Sequence, residues 1–154
     1  MAKILIVDDE ADARTVLYHT LREAGHSVTE APDGETALRK LKRGRFDLVI
    51  LDIMMPAMSG YEVLDTMRTM PPRAQAPVIV VTAKHDPQGV KREVLAGAAD
   101  HIAKPFLPSE LEAAVDRVLS SARSDVLRSR GALERSADLY TSVSELQRRA
   151  QEEP

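Results

Sequence analysis

Three runs in this chain are apolar at every position: ILIV (Ile4 to Val7), LVIL (Leu48 to Leu51) and VIVV (Val78 to Val81). A strand with one wet face alternates apolar and polar residues. A strand without alternation is buried on both faces, so helices must lie above and below its sheet. Two weaker runs, Ser27 to Glu30 and His101 to Ala103, read as further strands, and the LVIL strand reads back to Phe46.

The segments between them carry helical period. Ala13, Val16, Leu17, Leu21 and Ala24 form one stripe, closed by Gly25 as a C-cap. Asp33 can cap a second helix with Ala37, Leu38 and Leu41, ending at Gly44. Ser59 can cap a third with Val63, Leu64 and Met67, ended by Pro71 and Pro72. A fourth carries Val90, Val94 and Leu95 before Gly97, and a fifth opens at Pro108 with Leu111, Ala114, Val115, Val118 and Leu119. Five βα units joined by right-handed crossovers give an α/β fold with helices on both faces of a parallel sheet.

In such sheets ligands bind outside the carboxyl ends of the strands, near the point where strand order reverses. Four strand ends here carry reactive side chains: Asp8 and Asp9 after strand 1, Asp52 at strand 3, Thr82 at strand 4 and Lys104 at strand 5. Two carboxylates about 4 Å apart repel by roughly 4 kcal/mol at an effective dielectric of 20. A divalent cation reverses that sign, and the chain has no cysteine, so a hard cation held by oxygen is expected. Asp52 then becomes a candidate nucleophile toward phosphorus, and Lys104 a cation that can pair with it and with a phosphoryl oxygen. Each residue also has a plainer reading: acids that start a loop, a threonine that ends a strand, a surface lysine at a turn. Met54, Met55 and Met58 read as packing rather than sulfur ligands, His101 as a partly buried packing residue, and His19, His26 and His85 as surface residues.

Taken together, LIVDDE, LVILDIMMPAMSG, VIVVTA and AKPF resemble the receiver domain of two-component response regulators, in order and in spacing, over about residues 1–121. The resemblance implies a flavodoxin-like (βα)5 sandwich with a five-stranded parallel sheet of order 2-1-3-4-5. It implies that Asp52 is the phosphoacceptor, and that Asp9 and Asp52 bind Mg2+ directly with Asp8 acting mainly through water. The backbone carbonyl of Met54 would be the third protein ligand, and Mn2+ could substitute for Mg2+. Lys104 would bind the phosphoryl group, with a cis peptide before Pro105. Thr82 would move onto a phosphoryl oxygen, and His101 occupies the switch position where relatives carry Tyr or Phe. Met54 and Lys84 match positions that tune phosphoryl lifetime. The implied partners are a sensor histidine kinase or phosphotransfer protein and a downstream target. The implied output face combines the fourth helix, strand 5 and the fifth helix.

Two other classes compete. A magnesium-dependent phosphohydrolase would need a substrate pocket and a general base that the sequence does not offer. A non-phosphorylated scaffold would have no use for the complete acid set. A net charge of −3 gives no electrostatic reason for nucleic-acid binding. The N-terminus has no signal-like segment and no apolar run approaches the roughly 20 residues of a membrane span; a cytoplasmic protein is expected. Residues 122–154 have a different texture, with balanced charges and no strand signal. Leu119, Val126, Leu133 and Tyr140 recur every seven residues, but serines fill much of the companion seam and Gly131 interrupts it. This stretch reads as a helical extension of the fifth helix, supporting a homodimer, or as a linker.

Overall fold

The structure is a computed structural model and describes residues 1–83 and 97–127, the side chains of Arg73, Thr82 and residues 123–127 excepted. The elements run β1 (Lys3–Val7), α1 (Ala11–Glu23), β2 (Ser27–Ala31), α2 (Gly34–Arg43), β3 (Leu48–Asp52), α3 (Gly60–Met67), a 3₁₀ turn (Pro72–Ala74), β4 (Val78–Thr82), β5 (Asp100–Ala103) and a helix at Pro108–Leu127. The fourth sequence-predicted helix, with Lys84 and His85, lies outside the described residues, as does the heptad pattern beyond Leu127.

The five strands form one parallel sheet of order β2-β1-β3-β4-β5. The apolar runs divide between its two faces, because successive side chains in a strand point opposite ways. Leu5, Val7, Val49, Leu51, Val78 and Val80 join Ala37, Leu38 and Leu41 of α2 and Val63, Leu64 and Met67 of α3 in one core. Ile4, Ile6, Leu48, Ile50, Ile79 and Val81 join Leu17 and Leu21 of α1 and Leu111, Ala114, Val115 and Val118 in the other. The weak pattern of Ser27 to Glu30 follows from position, since β2 is an edge strand whose first three residues are half-buried.

Four details depart from the sequence reading. Val16 faces solvent, 55% exposed; α1 buries Leu17, Thr20 and Leu21 instead. Thr20 fits there because its hydroxyl donates to the Val16 carbonyl at 2.8 Å. The third helix ends at Met67, before the prolines, which begin the 3₁₀ turn. His26 is half-buried rather than a surface residue, and its Nδ1 accepts the Ala2 N–H at 3.2 Å. Strand 3 begins at Leu48; Phe46 instead lies beneath the Lys3 ammonium, 5.2 Å from the ring centre.

The caps appear where their chemistry places them. Asp33 accepts the Thr36 N–H at 2.7 Å, and that bond holds its carboxyl below the usual aspartate range. Ser59 and Glu62 form a reciprocal capping box at the start of α3. Ser59→Ala should therefore cost about 1 kcal/mol of stability in urea unfolding.

Candidate functional site

The site lies at the carboxyl ends of β1, β3 and β5. The chain leaves β1 toward β2 on one side, and β3 pairs on the other side of β1, so the loops after β1 and β3 diverge and open a crevice. Asp8 follows β1, Asp52 ends β3, and Lys104 follows β5.

Carboxylate oxygens of Asp8, Asp9 and Asp52 all lie within 4.8 Å of one another. Asp8 is 1% exposed and Asp52 5%, while Asp9 is exposed. The Lys104 ammonium faces them, 2.9 Å from Asp8 Oδ2 and 3.9 Å from Asp52 Oδ2. Its closer partner is thus Asp8, where the sequence reading paired it with Asp52. Asp52 Oδ1 accepts the Met54 N–H at 3.2 Å.

Burial pushes the Asp52 carboxyl up to about 6; the Lys104 charge pulls it down, and the Asp8 and Asp9 charges push it up. Burial opposes the Lys104 charge, but the Asp8 hydrogen bond and the charges of Asp52 and Asp8 outweigh it and hold the ammonium above its ordinary value. Among the described residues, three acids against one lysine leave the cluster short of positive charge. Hard oxygen donors, close spacing and unbalanced negative charge all fit a small divalent cation. Its holders would be Asp8, Asp9 and Asp52, with the Met54 carbonyl as a proposed fourth.

Thr82 ends β4, one step beyond Val81, which pairs with Asp52; its hydroxyl lies outside the described residues. His101 is half-buried on β5 opposite Val80. With Pro105, Ala113 and Arg117 it lines a cavity of about 500 Å³, beside the Arg117–Asp100 ion pair at 3.1 Å. The Lys104–Pro105 peptide is cis, as expected. Met54 is 56% exposed and Met55 is buried, consistent with packing for the latter only.

Sequence reasoning missed two contributors. Glu10 donates its N–H to Asp8 Oδ1 at 2.9 Å, and Arg14 Nη1 donates to the Asp8 carbonyl at 2.7 Å. A polar residue on the first turn of α1 was the only available signal for Arg14. Gly60 also matters: a Cβ there would sit 2.6 Å from the Asp52 carbonyl oxygen and 2.7 Å from Ile53 Cα. Both are backbone atoms, so Gly60→Ala should shift the end of β3 and cost about 1–3 kcal/mol, read by urea unfolding.

Among the described residues no helix is long and apolar enough to cross a membrane. Residues 4–116 match the response regulator receiver domain. The probable transcriptional regulator ycf27 of Porphyridium aerugineum is 43% identical over 117 residues, covering 76% of this chain and 48% of that protein. The alkaline phosphatase synthesis transcriptional regulatory protein PhoP of Bacillus subtilis is 38% identical with the same coverage. The chain spans about half the length of the curated relatives it matches. Among solved structures, the chemotaxis protein CheY4 of Vibrio cholerae superposes with a TM-score of 0.73 at 36% identity, covering 77% of this chain and 98% of that one. The receiver domain of a sensor histidine kinase from Pseudomonas aeruginosa, solved with a magnesium ion in its active-site cleft, gives 0.71 at 31% identity, with 77% and 98% covered. Sequence match, strand order and the acid cluster agree, and the chain belongs to the response regulator receiver domain family of two-component signal transduction.

Proposed function

We propose that this chain is a phosphorylation switch that accepts a phosphoryl group on Asp52 in a magnesium-dependent reaction. The observation that carries this reading is the placement of Asp52. It is a buried carboxylate at a strand end, facing the Lys104 ammonium at 3.9 Å and sharing its space with two further acids. The donor would be a phosphohistidine of a sensor kinase or phosphotransfer protein. A carboxylate oxygen of Asp52 bonds to phosphorus as the nitrogen–phosphorus bond breaks, and the departing imidazole keeps the bonding pair. Lys104, held by Asp8, is positioned to meet a phosphoryl oxygen. The Met54 N–H orients the Asp52 carboxylate. Magnesium, when bound by Asp8, Asp9, Asp52 and the Met54 carbonyl, would neutralise charge on the phosphoryl oxygens. The same groups would serve hydrolysis of the acyl phosphate.

The phosphoryl group adds about −1.5 to −2 charge at neutral pH. Thr82 would respond to it, and His101 would follow, reshaping the face that holds the cavity beside Arg117. Residues 1–121 form the receiver in this reading, and 122–154 a helical extension or linker that could support a homodimer. The matched relatives are named as transcriptional regulators; the output of this chain would pass through a partner docked on the switched face. The test is incubation with acetyl phosphate and Mg2+, followed by intact mass. Uptake of one phosphoryl group is expected, and its absence would leave the non-phosphorylated scaffold as the better reading.

A further inference from the structure

Asp8 is held from four directions. Its N–H donates to the Ala31 carbonyl at 3.2 Å, and its Oδ1 accepts the Glu10 N–H at 2.9 Å. Its Oδ2 takes the Lys104 ammonium at 2.9 Å, and its carbonyl accepts from Arg14 Nη1 at 2.7 Å. Arg14 is itself half-buried on α1, and its Nε lies 3.7 Å from Glu30 Oε1 on β2. Its backbone N–H donates to the Glu10 carbonyl at 3.0 Å. One guanidinium therefore ties the end of β1 to the edge strand, using two nitrogens that point to different groups. A lysine at this position would keep the charge but replace two separately aimed nitrogens by one on a shorter, more flexible stem.

We propose that Arg14 is a positioning residue that presets the Asp8–Asp9 loop for a divalent cation, an inference resting on the metal-site reading above. That loop carries two of the three acids, and like-charge repulsion drives them apart when no cation is bound. A clamp on the Asp8 carbonyl resists rotation of the Asp8–Asp9 peptide and so keeps the exposed Asp9 near its partners. Ordering done in advance is not charged against binding. The positive charge of Arg14 acts the other way, since it repels a cation. The two effects have opposite signs, so one measurement separates them.

The experiment titrates the metal-free full chain with MgCl2 by calorimetry, for the wild type, Arg14→Ala and Arg14→Lys. Groups that orient metal ligands typically contribute about 10–100-fold to affinity, and weakening of about tenfold is expected for Arg14→Ala. Arg14→Lys keeps the charge and gives up the rigid two-nitrogen fork, so weakening there reads the clamp apart from the charge and suffices if the alanine variant does not fold. Amide exchange of Glu10 without metal should accelerate in both variants, with the Ile50 amide unchanged. Equal or tighter Mg2+ binding in the variants, with Glu10 exchange unaltered, overturns the inference. A wild type that takes up no Mg2+ would instead sink the metal-site reading, while Glu10 exchange would still test the clamp.

Discussion

Replacing Asp52 by Asn is expected to abolish phosphoryl uptake and, in metal-free buffer, to make the fold more stable. The first effect follows from nucleophilicity: an amide oxygen carries no full negative charge and forms no stable bond to phosphorus. Uptake from acetyl phosphate should fall at least about a hundredfold, since general positioning by Lys104 cannot replace the attacking atom. Transfer to Asp8 or Asp9 at an undiminished rate would refute the assignment.

The stability effect follows from the raised pKa. Asp52 binds its proton more tightly in the folded chain, at about 6, than at its ordinary 3.8. The contribution of this group is therefore fully favourable below about pH 4 and is lost as pH rises through about 6. A shift of this size corresponds to roughly 3 kcal/mol at neutral pH. Asn cannot ionise, and its Oδ1 can still accept the Met54 N–H. The attraction to Lys104 is already contained in the raised value, and relaxation and water at the site reduce the gain. A net stabilisation of about 1–2 kcal/mol at pH 7.5 is expected, shrinking to nothing near pH 4. Urea unfolding in EDTA at the two pH values measures it. Adding Mg2+ should favour the wild type and close the gap, because the ion binds only the folded acid set.

How far the sequence could be read depended on the range of the forces involved. Fully apolar runs at Ile4, Leu48 and Val78 announce strands covered on both faces, because burial acts on every residue of the strand. Asp33 and Ser59 were legible as caps because each acts on an N–H three residues away. Strand-end acids and Lys104 were legible because a parallel topology brings those ends together. Contacts decided by the third dimension were not legible. Two adjacent aspartates look alike in sequence, and only the folded loop shows Asp8 buried against Lys104 with Asp9 outside. Arg14 reads as one more charge on an amphipathic helix until the Asp8 carbonyl is seen beneath it. Val16 fits the apolar stripe by spacing, yet the half-buried Tyr18 packs with that core while Val16 is left in solvent.

Lys104→Met should produce the largest loss of stability at the site, and one that Mg2+ repairs. Removing one partner of a buried pair leaves the other charge uncompensated, typically at about 3–5 kcal/mol. Lys104 is 21% exposed, so water reaches the pair and the loss should be nearer 2–3 kcal/mol in EDTA at pH 7.5. The carboxylates left behind, Asp8 and Asp52, are the same groups that a divalent cation would neutralise. Mg2+ should therefore stabilise the variant more than it stabilises the wild type. Lowering the pH to 5 should also narrow the difference, since Asp52, with its raised pKa, protonates there and needs no partner. The rate of phosphoryl uptake should fall about 10²-fold even at saturating Mg2+, because one of the charges meeting the phosphoryl oxygens is gone. Equal stabilisation of both proteins by Mg2+ would mean that Lys104 and the ion do not share the same carboxylates. That result would separate the lysine from the metal site and leave the charge deficit of the cluster to be balanced elsewhere.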